Sequence, residues 1–478
     1  MRTDSKINYL NSLKMNEMNK IDLKITPFTF GNVFKSHFSF WKILIFIIFA
    51  FMIFDTTIGF DTKLNNYTHI SFRVIKLLPQ EILIIFALIT IVVKPSNLNI
   101  LFKTKIGNLI LVFFLMVSVW TVIRIGNADA SKVLIRTYYG SIVVIIALCI
   151  LLENIKSIYA ALYMIIVSGF IGGVIMWLIS IIGIDKLNFA FNNITQREEA
   201  IGSNHYGLFG QSMAFVQISI FYVTANVIFY KKLGKRNIYL IILILLIGLD
   251  VVNMGRTQLI FNFIYLIFGL FYIAPKLGKH LKSNLKILIG LIFVFLLIYS
   301  LLINTFDISN FLFTFKERFE NGLNEIKTGS GSFEKHHLEQ FYRLKLMKED
   351  GLGTLIYGAG PDKVGDYTYL YKDDDKIIIF NNNPIRSVSS DSFMATLLGW
   401  YGIFGFILMI LIGLFSIKIF VKSNLLDIRL KYILSIASIG FLYSGFFIAN
   451  SSCALEINTM IPVCAAIVEY NERYKLNN

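Results

Sequence analysis

Along most of the chain, short polar clusters separate apolar runs of about twenty residues, the length an α-helix needs to cross a bilayer. Such runs cover about 42–60, 77–93, 106–123, 137–152, 157–183, 206–230, 237–253, 257–274, 286–303, 393–417, 432–450 and 455–469. The pattern predicts an all-α polytopic membrane protein with about twelve transmembrane helices. The second run opens on Pro79, Gln80 and Glu81, and the last is short. The seventh and eighth meet at Asn253-Met254-Gly255-Arg256-Thr257, a hairpin too tight to hold a domain. The expected organisation is a cytoplasmic N-terminal segment 1–41, nine helices over 42–303, a large extracytoplasmic loop 304–392 carrying short helices, three helices over 393–469, and a cytoplasmic tail 470–478. No internal repeat is visible, and no matched pair of Gly/Pro-interrupted helices of the kind that points to a secondary transporter.

Composition excludes a soluble protein. Hydrophobic residues make up 56% of the chain and charged residues 16%, with a mean hydropathy of +0.66. A soluble domain carries roughly 25% charged residues because its surface must be wetted. The net charge of +15 reads as an excess of Lys and Arg in cytoplasmic loops, not as a nucleic-acid signal. With the N-terminus inside, 25 of the 45 basic residues fall on the cytoplasmic side, 9 in short outer loops and 11 in the long loop. Long loops are exempt from the positive-inside rule, so both termini are expected in the cytoplasm. Cys149, Cys453 and Cys464 show no paired spacing, and neither a disulfide framework nor a Cys/His metal motif is expected. The first forty residues have no short apolar core with a cleavage site, so the first helix is expected to serve as its own anchor.

The long loop stands apart. It holds 11 Lys/Arg and 14 Asp/Glu, and the runs 316–320 and 339–345 read as short amphipathic helices lying on the membrane face. Long ordered loops tend to carry function. On the outer side lie Arg124, Arg136, Arg197, Arg256, Arg318, Arg343 and Lys345. Arginine presents a planar fork of donors that grips phosphate oxygens in pairs and stays charged at any relevant pH, so arginines converging there would suit a lipid-linked pyrophosphate. For Arg124, Arg318 and Lys345 the plainer reading, snorkelling to head groups, is favoured. Arg256 sits on the hairpin near Asp250, which either pairs with it to close the turn or orients it.

Acid–base candidates are His205 beside Asn204, His336, His337 and Asp391 in Ser389-Ser390-Asp391-Ser392. Asp391 or Ser390 would equally cap the helix that follows. Asp373-Asp374-Asp375 lies between Lys372 and Lys376 and reads as a solvated turn in preference to a metal site. Tyr367, Tyr369 and Tyr371 alternate as in a small hairpin. No phosphate-binding lysine loop, dinucleotide glycine pattern, HExxH or GxSxG is present, so no soluble cofactor is expected.

Three stretches together resemble the bacterial O-antigen polymerase/O-antigen ligase superfamily over roughly residues 190–420. The first is Arg197-Glu198-Glu199-Ala200-Ile201-Gly202-Ser203-Asn204-His205, ahead of a span. The second is the hairpin Asn253-Met254-Gly255-Arg256. The third joins Arg343, Leu355-Ile356-Tyr357-Gly358-Ala359-Gly360-Pro361, Ser390-Asp391-Ser392-Phe393 and Leu398-Gly399-Trp400-Tyr401-Gly402-Ile403-Phe404-Gly405. Ligase-type members often carry His-Asn before the last helix, whereas Asp391 stands in the histidine's place here; the difference favours a polymerase.

The resemblance implies a polysaccharide polymerase at the outer face of a bacterial cytoplasmic membrane, joining oligosaccharide repeat units carried on undecaprenyl pyrophosphate. Arg256 and Arg343 would act on the pyrophosphate, supported by Arg197, with Arg136, Asn204 and Gly360 as further substrate contacts. Asp391 is the first candidate base and His205 the second. No metal and no cofactor are expected. The implied partners are the lipid-linked oligosaccharide, membrane lipids and a chain-length regulator. The rival activities are a ligase that passes glycan to a lipid or protein, and a flippase. A flippase should line a central cavity with basic residues, whereas mid-helix positions here are largely neutral apart from Asp55.

Overall fold

The structure, a computed structural model, describes residues 38–58, 70–72, 75–77, 79–124, 140–182, 194–196, 206–208, 211–230, 233–252, 262, 264–280, 285–286, 289–290, 347–348, 351–358, 370–373, 376–379, 393–447 and 451–475. It is a helical bundle with three short hairpins in its connections. The helices are α1 (Phe40–Ile58), α2 (Pro79–Val93), α3 (Asn99–Lys103), α4 (Lys105–Arg124), α5 (Gly140–Leu152) and α6 (Ile155–Ile182). They continue with α7 (Gln211–Phe229), α8 (Leu233–Val252), α9 (Ile264–Lys276), α10 (Leu352–Tyr357), α11 (Phe393–Lys422), α12 (Ile428–Phe447) and α13 (Ser451–Tyr470). The strands pair antiparallel: β1 (Ile70–Phe72) with β2 (Ile75–Leu77), β3 (Ile194–Gln196) with β4 (Tyr206–Leu208), and β5 (Leu370–Asp373) with β6 (Lys376–Ile379).

Among the described residues, Ile155–Val174 and Tyr401–Lys422 are each long and apolar enough to cross a membrane. A third candidate is Glu81–Val93 with Pro95–Lys103 if that pair, bent by 114°, is one span. Five shorter apolar helices accompany them. Outward-facing positions are as apolar as the core. Along α4, Ile106, Ile110, Phe113 and Val117 are buried while Val112, Leu115, Val119 and Val122 are exposed. Such a surface suits hydrocarbon surroundings and not water.

With no water to expel between helices in lipid, close packing must hold the bundle, and small residues make it possible. Gly269, Gly440, Gly248 and Gly413 lie under the side chains of Tyr432, Tyr265, Trp177 and Leu442. At Gly269 the helix widens into a π turn, Gly269–Ile273, that admits the Tyr432 ring against its backbone.

Two sequence expectations are corrected. Span six does not begin at 206: Tyr206–Leu208 is a strand, and the helix starts at Gln211. Span ten is not one continuous helix from 393, because α11 breaks at Gly402 (φ 66°, ψ −172°) and the membrane-length part runs over Tyr401–Lys422. After α2 the chain turns through Pro95–Leu98 and α3, where Pro95 and Lys94 end the helix. Within the long loop, α10 and the β5–β6 hairpin are described, and Asp373 pairs with Lys376 across the turn. The expected amphipathic runs 316–320 and 339–345 lie outside the described residues.

Candidate functional site

Two ends of the bundle differ in character. At one, the starts of several helices are capped by side chains placed immediately before them. Thr104 Oγ1 accepts from Gly107 N at 2.9 Å, Asn154 Oδ1 from Ser157 N at 2.9 Å, and Asp427 Oδ1 from Arg429 N at 2.9 Å. The last helix and the π turn that follows it, Asn471–Lys475, add two carboxylates. Glu469 accepts from Ile106 N at 3.2 Å and Glu472 from Asn424 N at 2.7 Å, satisfying amides that helical hydrogen bonding leaves free.

Glu153 joins the same end. Its carboxylate lies 2.7 Å from Lys94 and 3.6 Å from Lys42, and Asn471 donates to its carbonyl at 3.4 Å. Its φ of 41° is the one positive value at a non-glycine residue among the described residues, and it turns the chain sharply between α5 and α6. Burial pushes the carboxyl up, but the hydrogen-bonded Lys94 ammonium and the nearby Lys42 outweigh burial and hold it below the usual glutamate range.

A second polar cluster surrounds Arg429. Its Nε donates to Asp427 Oδ1 and its Nη1 to Asn226 Oδ1, each at 3.2 Å. Tyr159 Oη accepts from Asp427 N at 3.0 Å, and the guanidinium lies 5.8 Å from the Tyr230 ring. Lys235 shares that ring, Lys279 lies over Phe229, Lys276 stands 3.7 Å over Tyr272, and Lys103 over Tyr474. Lys94, Lys103, Lys235, Lys279 and Arg429 therefore stand at one end of the bundle.

The other end holds the contact between α10 and α11. A methyl group on Gly402 would overlap the Ile356 carbonyl and the Gly358 nitrogen, so the two backbones touch. The Tyr357 and Phe404 rings pack edge to face at 6.2 Å, and on the far side of the helix Tyr401 packs on Phe113 of α4 at 4.8 Å. Part of the loop stretch 355–361 and the Gly-aromatic-Gly stretch 399–405 thus lie against each other.

The predicted site residues Arg136, Arg197, Asn204, His205, Arg256, Arg343, Gly360 and Asp391 lie outside the described residues. The described helix ends closest to five of them in sequence are the start of α5 for Arg136, the start of α7 for Asn204 and His205, the end of α8 for Arg256, and the start of α11 for Asp391. All four ends are opposite the charged end. Sequence reasoning did not single out Glu153, Asn226 or Asp427. The legible signal at Glu153 was an acid interrupting an otherwise apolar stretch, whereas Asn226 carried none. No family model, curated protein or solved structure matches the chain.

Proposed function

We propose that the chain is a multi-spanning polymerase of the bacterial cytoplasmic membrane, with about twelve helices and both termini inside. It would extend a surface polysaccharide from repeat units carried on undecaprenyl pyrophosphate. The observation that carries this reading is the backbone contact of Gly402 with Ile356 and Gly358. Two stretches on which the superfamily resemblance rests, far apart in the chain, meet in space. The gathering of basic segments at the opposite end supports the orientation, since the excess of Lys and Arg would then face the cytoplasm.

In the proposed reaction a sugar hydroxyl of the incoming unit attacks the anomeric carbon of the donor glycan. The new C–O bond forms as the bond to the lipid pyrophosphate breaks, and the pyrophosphate leaves with the electron pair. The hydroxyl proton passes to Asp391 or, failing it, His205. The pyrophosphate bond already stores the required energy, so the protein supplies positioning and charge stabilisation. Arg256 and Arg343 are assigned the leaving group, Arg197 supports them, and Arg136, Asn204 and Gly360 contact substrate. Asp391 in place of the ligase-type His-Asn favours polymerase over ligase.

The test is a deletion strain whose surface glycan is resolved by size. Single repeat units reaching the surface while long chains vanish is the expected result. Full-length chains accumulating on the lipid carrier would make the protein a ligase instead.

A further inference from the structure

We infer that Gly402 is a positioning residue for the proposed reaction: the break it makes in α11 is the seat that holds the loop helix α10. The inference rests on the polymerase reading, and it concerns how the outer loop is fixed to the bundle.

The helix α10 has six residues and no side-chain cap at either end. A helix that short does not hold its own shape or place in water, because nucleation costs more than so few hydrogen bonds return. It is bounded by Gly351 (φ 129°) and Gly358 (φ 89°), two backbone conformations that favour glycine. Its orientation must therefore be set by what it rests on.

What it rests on is the break in α11. Gly402 has two separate requirements for glycine. Its φ of 66° with ψ −172° is a combination essentially confined to glycine. A Cβ there would also overlap the Ile356 carbonyl and the Gly358 nitrogen, both backbone atoms that cannot swing aside. Tyr357 on Phe404 completes the joint. By contrast, a Cβ on Gly353 within α10 would meet nothing within 4 Å.

The joint matters for chemistry because of what the chain does on each side of it. Gly360, an assigned substrate contact, follows Gly358 by two residues, and Asp391, the first candidate base, precedes Phe393 by two. Fixing α10 on α11 fixes the anchor points of both. A displacement of about 1 Å at such an anchor is enough to lower turnover about a hundredfold.

The test uses the full chain in lipid nanodiscs with a lipid-linked repeat unit as substrate. Cys149, Cys453 and Cys464 are replaced by Ala, and the pair Tyr357→Cys/Phe404→Cys is joined by a short thiol cross-linker. Linked peptides are counted by mass spectrometry. Gly402→Ala should cut the cross-linking yield several-fold, and Gly353→Ala should leave it unchanged. Gly402→Ala should also lower kcat at least tenfold with little change in KM, and pinning the joint with the cross-linker should restore much of the lost turnover. Tyr357→Ala, at a half-exposed position, should lower kcat in the same direction by less.

Equal yields in Gly402→Ala and the parent overturn the seat. A reduced yield with full turnover, or a loss that pinning does not restore, overturns the positioning role. If the unaltered chain extends nothing, the functional reading and its catalytic part fail together, while the yields still decide whether Gly402 seats α10.

Discussion

Glu153 and Lys94 form an ion pair of 2.7 Å between two connections that are far apart in sequence, the turn after α2 and the turn between α5 and α6. Lys42 at the start of α1 closes on the same carboxylate at 3.6 Å. One acid thus ties three helix ends together, at a residue whose backbone is itself strained.

The pair makes stability depend on pH with a definite sign. The folded state holds the Glu153 carboxyl below its ordinary range, so the folded chain binds fewer protons there than the unfolded chain. Its contribution is fully present above the unfolded value of about 4.3 and is lost as pH falls through the lower folded value. Lys94 is largely exposed and Lys42 is not, so the contribution is modest, about 1 kcal/mol. Thermal unfolding in detergent between neutral and acid pH should show a smaller acid loss for Glu153→Gln than for the parent.

Arg429 holds two polar partners at once. Its side chain is 14% exposed and serves Asp427 and Asn226 at once. Arg429→Ala leaves a mostly buried carboxylate without its cation and should destabilise the protein by roughly 2–4 kcal/mol. Arg429→Lys should recover only part of that, since a single ammonium on a shorter side chain cannot reproduce the two fixed donors. Denaturant or thermal melts of the detergent-solubilised variants measure both.

The Tyr432 hydroxyl is buried and has no hydrogen-bond partner among the described residues. Tyr432→Phe removes a desolvated polar atom and should raise stability by about 1 kcal/mol. Gly269→Ala should lower it by about 1–3 kcal/mol through overpacking, because the new methyl meets that same hydroxyl. The two changes should therefore couple, with Tyr432→Phe reducing the damage done by Gly269→Ala. A double-mutant cycle reads the coupling directly.

Under the proposed function, Arg256→Lys should abolish most chain extension while the protein still inserts in the membrane, because a point charge cannot grip two phosphate oxygens as a fork does. Size-resolved surface glycan from complemented deletion strains checks it, and full activity would remove the bidentate role. Two arginines on the pyrophosphate would serve in place of a metal, so EDTA should leave turnover of purified protein unchanged. Abolition by EDTA would return attention to Asp373, Asp374 and Asp375.

Several helix positions were legible to within a few residues because apolar length is a local property, while the expected run 286–303 lies almost wholly outside the described residues. Expected runs such as 157–183 and 237–253 became Ile155–Ile182 and Leu233–Val252. Tyr206–Leu208 was misread as helix because its apolar character continues into α7, while the hydrogen bonds that make it a strand come from Ile194–Gln196. Asp373, read as part of a solvated turn, ends a strand and pairs in register with Lys376.

What the sequence alone determined is the class: helices too apolar for water, with a long polar insertion among them. These follow from residue type and spacing, which act over a turn or two of chain. The tertiary structure alone decided which backbones touch. Asn226 became the partner of Arg429, Glu469 the acceptor for Ile106, and Gly402 the seat of Ile356 and Gly358. A hydrogen bond or a missing Cβ counts only when its counterpart arrives from elsewhere in the chain. That arrival is set by the packing of whole helices, which no local pattern encodes.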